Sequence, residues 1–192
     1  MKLTGHLRTV MRHRRKVFVL CCRAGIPFAG IKHDLSKFSP SEFIPGVIYY
    51  AGGVRSPNEL ERLDKGYSAA WMHHKGRNKH HVDYWMDNNV LNHHLEPVDM
   101  PNRYLAESIC DRLAATEIYN GKNSKKDGAL NYFYKEASHL PMTKSTHDRL
   151  EYLLKYYVYK GPKALFKFMK KNMRNKKTEI PMEESFDERT ED

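Results

Sequence analysis

The chain has 192 residues, a length that suits one domain, with or without a tail, better than two. Apolar residues make up 40% and aromatics 11% of it, enough for a packed core, so wholesale disorder is excluded despite a mean hydropathy of -0.74. The formal net charge is +10, and removing the last ten residues, with six acids against one Arg, leaves a body at +15; such a field attracts phosphate-rich partners and disfavours polycationic ones.

Leu7, Val10, Val17, Leu20, Cys21 and Ala24 recur at helical spacing and predict a first helix from about residue 5 to Gly25, with Gly25 and Pro27 as its stop. His6 and His13 share its apolar face. An apolar IPFAGI leads into HDLSKF, after which Ser39, Pro40, Ser41 and Glu42 read as the start of a helix that runs to Tyr50 and ends before Gly52 and Gly53. A short helix is expected over Pro57 to Lys65. The histidine-rich stretch SAAWMHHKGRNKHHVDYWMDNNVL follows, and Pro101 opens a helix (YLAESICDRLAATEIYNG) that is apolar over most of its circumference and stops at Gly121. Further helices are predicted over 129–139, 144–160 and 162–173. Nothing shows sustained β alternation, so the fold class expected is all-α, with residues 1–175 as one helical bundle and 176–192 as a charged, flexible tail.

No apolar run approaches the roughly 18–20 residues needed to cross a bilayer, so no membrane partner and a cytoplasmic location are expected. Cys21, Cys22 and Cys110 form neither an even disulfide set nor a C-x-x-C pair, fit a reducing compartment and read as core filler. P-loop, GxSxG, HExxH and Gly-rich dinucleotide motifs do not occur, which disfavours the enzyme classes built on them.

Eleven histidines are present, nine of them before residue 95. A neutral imidazole is a good ligand for Zn, Fe, Mn or Ni, and a neighbouring carboxylate adds the negative charge that holds a divalent ion; His33 and Asp34 supply that combination. His13 reads either as a core histidine or as a ligand. Asp111 falls among Tyr104, Ala114, Ala115 and Ile118 on a helical wheel, with Glu107 one turn away, and a buried carboxylate there requires a metal, an Arg or a proton to compensate it. A continuous helix over 71–85 would align Trp71, His74, Asn78, His81 and Trp85; a turn at Gly76 to Asn78 would instead let the paired histidines converge from two segments. A solvated His/Lys/Arg patch that grips nucleic acid is the competing reading of that stretch. His93, His94, His139 and His147 read as surface residues.

In chain order, His13, the string HDLSK (His33, Asp34, Lys37), the histidines His74, His80 and His81, and the late helical Asp111 resemble the HD-domain metal-dependent phosphohydrolase superfamily. More narrowly, HDLSKFSPSEF, AWMHHKGRNKHHVDYW and MPNRYLAESICDR are similar to the matching blocks of a bacterial and phage family known only as a domain of unknown function, over roughly residues 8–120. The resemblance implies an HD-like helical bundle in which His13, His33, Asp34 and Asp111 hold one divalent ion. His74 with His80 or His81 would hold a second, bridged by Asp34, although their spacing is closer than in the dinuclear cyclic-nucleotide branch. Asp34 and Lys37 are then the catalytic residues, and Lys37, Arg77 and Lys79 face the substrate phosphate. One or two ions are implied, with Fe, Mn, Zn, Ni, Co and Mg not distinguished.

The function expected is hydrolysis of a nucleotide or other small phosphate ester, with a metal-acidified water as nucleophile. The alternatives are a mixed-valent di-iron oxygenase on the same ligands and a non-enzymatic nucleic-acid-binding module that uses the basic body.

Overall fold

The spacing of the first segment becomes helix α1, Lys2–Ala24, in the computed structural model of the chain, which describes residues 2–121 and 124–182. Its buried face carries His6, Val10, His13, Val17, Leu20, Cys21 and Ala24. Leu7, expected on that face, is 39% exposed; it lies roughly a quarter-turn away with Leu3, Met11 and Phe18, on a second apolar stripe. Gly25 ends the helix in the left-handed region (φ +78), where glycine carries no Cβ penalty and its N–H donates to the Cys22 carbonyl at 3.1 Å.

Prolines at the first turn begin the next three helices: α2 (Pro27–Lys32), α3 (Pro40–Ile48), which follows a 3-10 turn over Leu35–Phe38, and α4 (Pro57–Lys65). Helix α5 (Ala69–Lys75) is capped by Ser68, whose hydroxyl oxygen accepts the Trp71 N–H at 3.0 Å. That hydroxyl donates to the buried Glu61 carboxylate of α4 at 2.7 Å, which also accepts the Ala70 N–H at 3.3 Å. One acid thereby fixes the start of α5.

Strands β1 (Met86–Asn88) and β2 (Leu95–Pro97) form an antiparallel ribbon with Met86 opposite Pro97. The sequence reading contains no strand here, because three residues are too few to display alternation. Local turn chemistry makes the ribbon: the His93 N–H donates to the Asn89 carbonyl at 2.8 Å and the Asn89 N–H to the His94 carbonyl at 2.9 Å.

Helix α6 (Asn102–Asn120) is the centre of the core, with Leu105, Ala106, Ile109, Cys110, Leu113 and Ala114 all buried. It packs against α1, α7 (Gly128–Ala137) and α8 (Lys144–Asn172). The two last helices expected from the sequence are the arms of α8, which bends at Gly161 (φ 82, ψ 169) before Pro162. The buried Arg149 of α8 donates to the Met100 carbonyl and to the Asn102 Oδ1, each at 2.9 Å, and so ties α8 to the approach of α6.

Beyond α8 the chain returns to α6: the Asn102 N–H donates to the Lys177 carbonyl at 2.7 Å and the Arg103 N–H to the Asn175 carbonyl at 3.0 Å. These are amides that a helix start leaves without partners. The chain is therefore held past residue 176, where the sequence places the start of the tail; the acidic block 183–192 lies outside the described residues. Among the described residues the architecture is eight helices and one two-stranded ribbon, an all-α fold, and no helix is long and apolar enough to cross a membrane.

Candidate metal centre

Five segments bring imidazoles and carboxylates to one point. α1 contributes His13 from its buried face, and the junction after α2 contributes His33 and Asp34. Asp34 has a left-handed backbone (φ 53, ψ 29), a conformation that Asp tolerates better than most residues. α5 stops at Lys75, so the continuous helix over 71–85 does not form. Instead the Arg77 and Asn78 N–H groups both donate to the His74 carbonyl at 3.1 Å. The turn at Gly76 to Asn78 returns the chain so that His80 and His81 meet His74 from a second segment. Asp111 comes from α6.

The ligand atoms fall into two sets on either side of Asp34, joined by Asp111, which groups with His33 and His80. In the first, His13 Nε2 lies 2.9 Å from Asp111 Oδ1, 3.8 Å from Asp34 Oδ2 and 3.4 Å from His33 Nε2, which is itself 3.3 Å from Asp34 Oδ2. In the second, Asp34 Oδ1 lies 3.3 Å from His74 Nε2 and 3.5 Å from His80 Nε2, and ligand atoms of Asp34, His74, His80 and His81 all fall within 4.8 Å of one another. Asp34 thus turns one oxygen to each set. Ligand atoms held at about 2.0–2.2 Å from a divalent ion stand roughly 3.0–3.5 Å apart, so these separations fit.

Three buried atoms at this point, Asp34 Oδ1, His80 Nε2 and His81 Nε2, have no hydrogen-bond partner. An orphaned buried polar atom costs free energy, and a cation shared by all three compensates them together. The charge state agrees. Burial works against ionised carboxyls, yet His33, Lys37 and His74 around Asp34, and His13 and His33 around Asp111, hold both acids well below the usual carboxylate range. Burial, then His80 and His74, push His81 well below the usual histidine value, so it stays neutral and able to ligate. His13 is lowered by burial. Burial alone would lower His33 too, but Asp34, Asp111 and Glu107 outweigh it and raise the ring well above its ordinary value, so an ion bound at His33 would have to displace its proton.

Carboxylates outside the ligand sets orient the rings. Glu107 Oε1 accepts from His33 Nδ1 at 3.0 Å and stands 3.2 Å from His80 Nδ1. Glu42 accepts from His74 Nδ1 at 2.7 Å and from His73 Nδ1 at 2.6 Å. A carboxylate on Nδ1 fixes the tautomer that leaves Nε2 free for a metal. Of the first histidine pair, both held by Glu42, His74 faces the centre, with its Nε2 against Asp34, and His73 does not, whereas both His80 and His81 belong to it.

Two adjoining cavities open on the centre. One of 240 Å³ is lined by His13, Asp34, Lys37, His74, His81 and Asp111 among others. The other, of 620 Å³, meets it at His81 and Asp111 and extends between α6 and α7 past Arg55, Trp71, Tyr119 and Tyr132. Lys37 Nζ sits 2.6 Å from Asp34 Oδ2, and Asp34 and Asp111 raise its pKa despite burial. Arg77 and Lys79 are not brought to the centre: both are exposed and line neither cavity. Arg77 bonds back to the His73 carbonyl, while Lys79 lies over the rings of Tyr84 and Tyr104.

Sequence reasoning missed Glu42 and Arg55. Glu42 stands in the first turn of a helix, where an acid is explained by the helix dipole alone, and Arg55 lies in a polar turn with nothing to distinguish it. Cys21 and Cys110 are buried as expected of core filler, but Cys22 is exposed.

Neither the curated proteins nor the solved structures contain a match to the chain. Its similarity is to a family model covering residues 2–156, which holds every residue of the centre, and on that match the chain belongs to the family described as Family of unknown function (DUF5662).

Proposed function

We propose that the chain is a metal-dependent phosphohydrolase of the HD type, acting on a nucleotide or another small phosphate ester, in which the residues on either side of Asp34 would hold the divalent ions. The observation that carries this reading is the pair of ligand sets on the two oxygens of Asp34, opening on a cavity that holds Lys37 and is bordered by Arg55. His13, His33, Asp34 and Asp111 would hold one ion, and Asp34, His74, His80 and His81 the other. When bound, such ions supply an acidified water and a positive charge for the phosphoryl oxygens. The chain's own contribution is geometric and electrostatic. Glu107 and Glu42 hold the rings in register, Lys37 presents an ammonium inside the smaller cavity, and Arg55 stands at the border of both cavities, where it can meet an anionic substrate. Trp71, Tyr119 and Tyr132 give the organic part of the ester an aromatic wall.

Metal analysis of protein purified without a histidine tag, followed by assays on p-nitrophenyl phosphate, its bis ester and nucleoside monophosphates, tests the reading. About two equivalents of a divalent metal and hydrolysis that chelation abolishes are expected. Metal-free protein that neither takes up added Mn, Zn, Fe, Co, Ni or Mg nor hydrolyses any ester would overturn it. An aspartate set between the two ligand sets also favours a second reading, a di-iron oxygenase, which iron at two equivalents with substrate-dependent oxygen consumption and no hydrolysis would select.

A further inference from the structure

α1 has two apolar stripes, and the domain covers only one. On the other, Leu3, Leu7, Met11 and Phe18 are between 38% and 53% exposed. Their separations of four, four and seven residues keep them in one line along the helix. The line continues onto its neighbours. Between Met11 and Phe18, Arg14 donates to the carbonyls of Ile31 at 3.0 Å and His33 at 2.6 Å, and its guanidinium lies 5.2 Å from the centre of the Phe38 ring. α2 packs on Phe18 so closely that a Cβ at Gly30 would fall 3.0 Å from the Phe18 Cα. α2 itself turns Phe28, 77% exposed, and Ile31, 52% exposed, to solvent. At the other end the Lys2 ammonium donates to the carbonyl of the exposed Ile48 at 2.9 Å.

The charge of this region is one-sided. From Lys2 to Asn58 the chain carries ten Lys and Arg residues and two acids, Asp34 and Glu42, both buried at the metal centre. Arg8, Arg12 and Arg15 are exposed along one flank of the α1 stripe, and Lys32 is exposed beside Ile31. A contiguous apolar face of this kind marks a docking surface, and the cations decide its partner. A second copy of the chain would set these cations against their own kind. Nucleic acid would use the cations and leave Phe28 and Ile31 in water. An anionic bilayer satisfies both, since apolar side chains enter the headgroup boundary while Arg and Lys meet the lipid phosphates and acidic headgroups.

We propose that the α1–α2 face docks on the surface of anionic phospholipid membranes. The contact needs no spanning helix, and none of the six apolar residues named on α1 and α2 lines either cavity, so docking leaves the metal centre open. Flotation of the full chain with vesicles tests this independently of any catalytic activity. The protein is expected to float with phosphatidylcholine vesicles that contain phosphatidylglycerol and not with pure phosphatidylcholine. The double variant Phe28→Ser/Ile31→Ser, which changes no charge, should lower the affinity at least about tenfold, and Arg8→Gln/Arg12→Gln/Arg15→Gln should weaken binding and flatten its salt dependence. Both variants alter exposed positions and should keep the wild-type circular dichroism and melting temperature.

Absence of flotation with anionic vesicles at low ionic strength would overturn the proposal. So would binding that the Phe28/Ile31 variant leaves unchanged, or a dimer mass by light scattering that this variant reduces to one chain. Salt-dependent DNA binding without lipid binding would assign the cations to nucleic acid instead.

Discussion

Asp34 serves both ligand sets, so removing its carboxylate should be felt twice. Asp34→Ala is expected to lose all retained metal and His33→Ala the ion of the first set; metal analysis after gel filtration checks both, and full occupancy in the two variants contradicts the centre as built. His74→Ala separates the sets: bound metal should fall from about two equivalents towards one, because His13, His33, Asp34 and Asp111 remain. Lys37 touches Asp34 but offers a cation, not a ligand, so Lys37→Ala should keep its metal while turnover of a phosphate ester falls; metal loss as deep as in Asp34→Ala would show that the role is misassigned. Glu107 acts through His33 and His80, and Glu107→Gln should weaken metal affinity by about 10–100-fold in a competitive chelator titration. An unaltered affinity would mean that the two rings need no carboxylate to orient them.

At the scale of elements, the seating of α5 on α4 depends on one acid. Glu61 is 1% exposed. Burial favours its neutral form, but Ser68, the Ala70 amide and Lys65 outweigh this and lower its pKa. A lowered carboxyl stabilises the fold above its ordinary pKa of about 4.3 and loses that contribution as pH falls through the lowered value. Glu61→Gln should therefore cost about 1–3 kcal/mol at neutral pH, read from denaturant unfolding, and the gap from wild type should close in acid. A gap independent of pH would make the role of Glu61 one of shape and not of charge. The spacing of Val10, Val17, Leu20 and Cys21, and the stops at Gly25 and Gly121, made the long helices legible from sequence, as HDLSK and Asp111 made the centre. What the sequence left open was geometry decided elsewhere in the chain. Whether residues 71–85 continue or turn depends on Asn78, which donates to Ser36 at 2.8 Å and to the His74 carbonyl at 2.8 Å. Which of His73 and His74 faces inward depends on how α5 seats against α3, a segment far away in sequence. Periodicity carries no information about either contact.

At the scale of the whole molecule, α1 and the second arm of α8 close on each other. Val17, Leu20, Cys21 and Ala24 of α1 share one core with Leu165, Phe166, Met169 and Met173 at the end of α8, and the Arg23 guanidinium lies 4.3 Å from the centre of the Phe166 ring. A ribosome therefore makes α1 well before its packing partner. Until the second arm of α8 has left the exit tunnel, the apolar side of α1 has an incomplete seat, and His13, although translated long before that arm, has no fixed position. Stalled nascent chains that end before Leu165 should be cleaved readily by protease and should not retain metal, whereas chains extended well past Met173 should do the reverse. Any ion that the centre binds would then enter only once the second arm of α8 has emerged, so a shortage of metal would leave folded chains with an empty centre and would not arrest their synthesis.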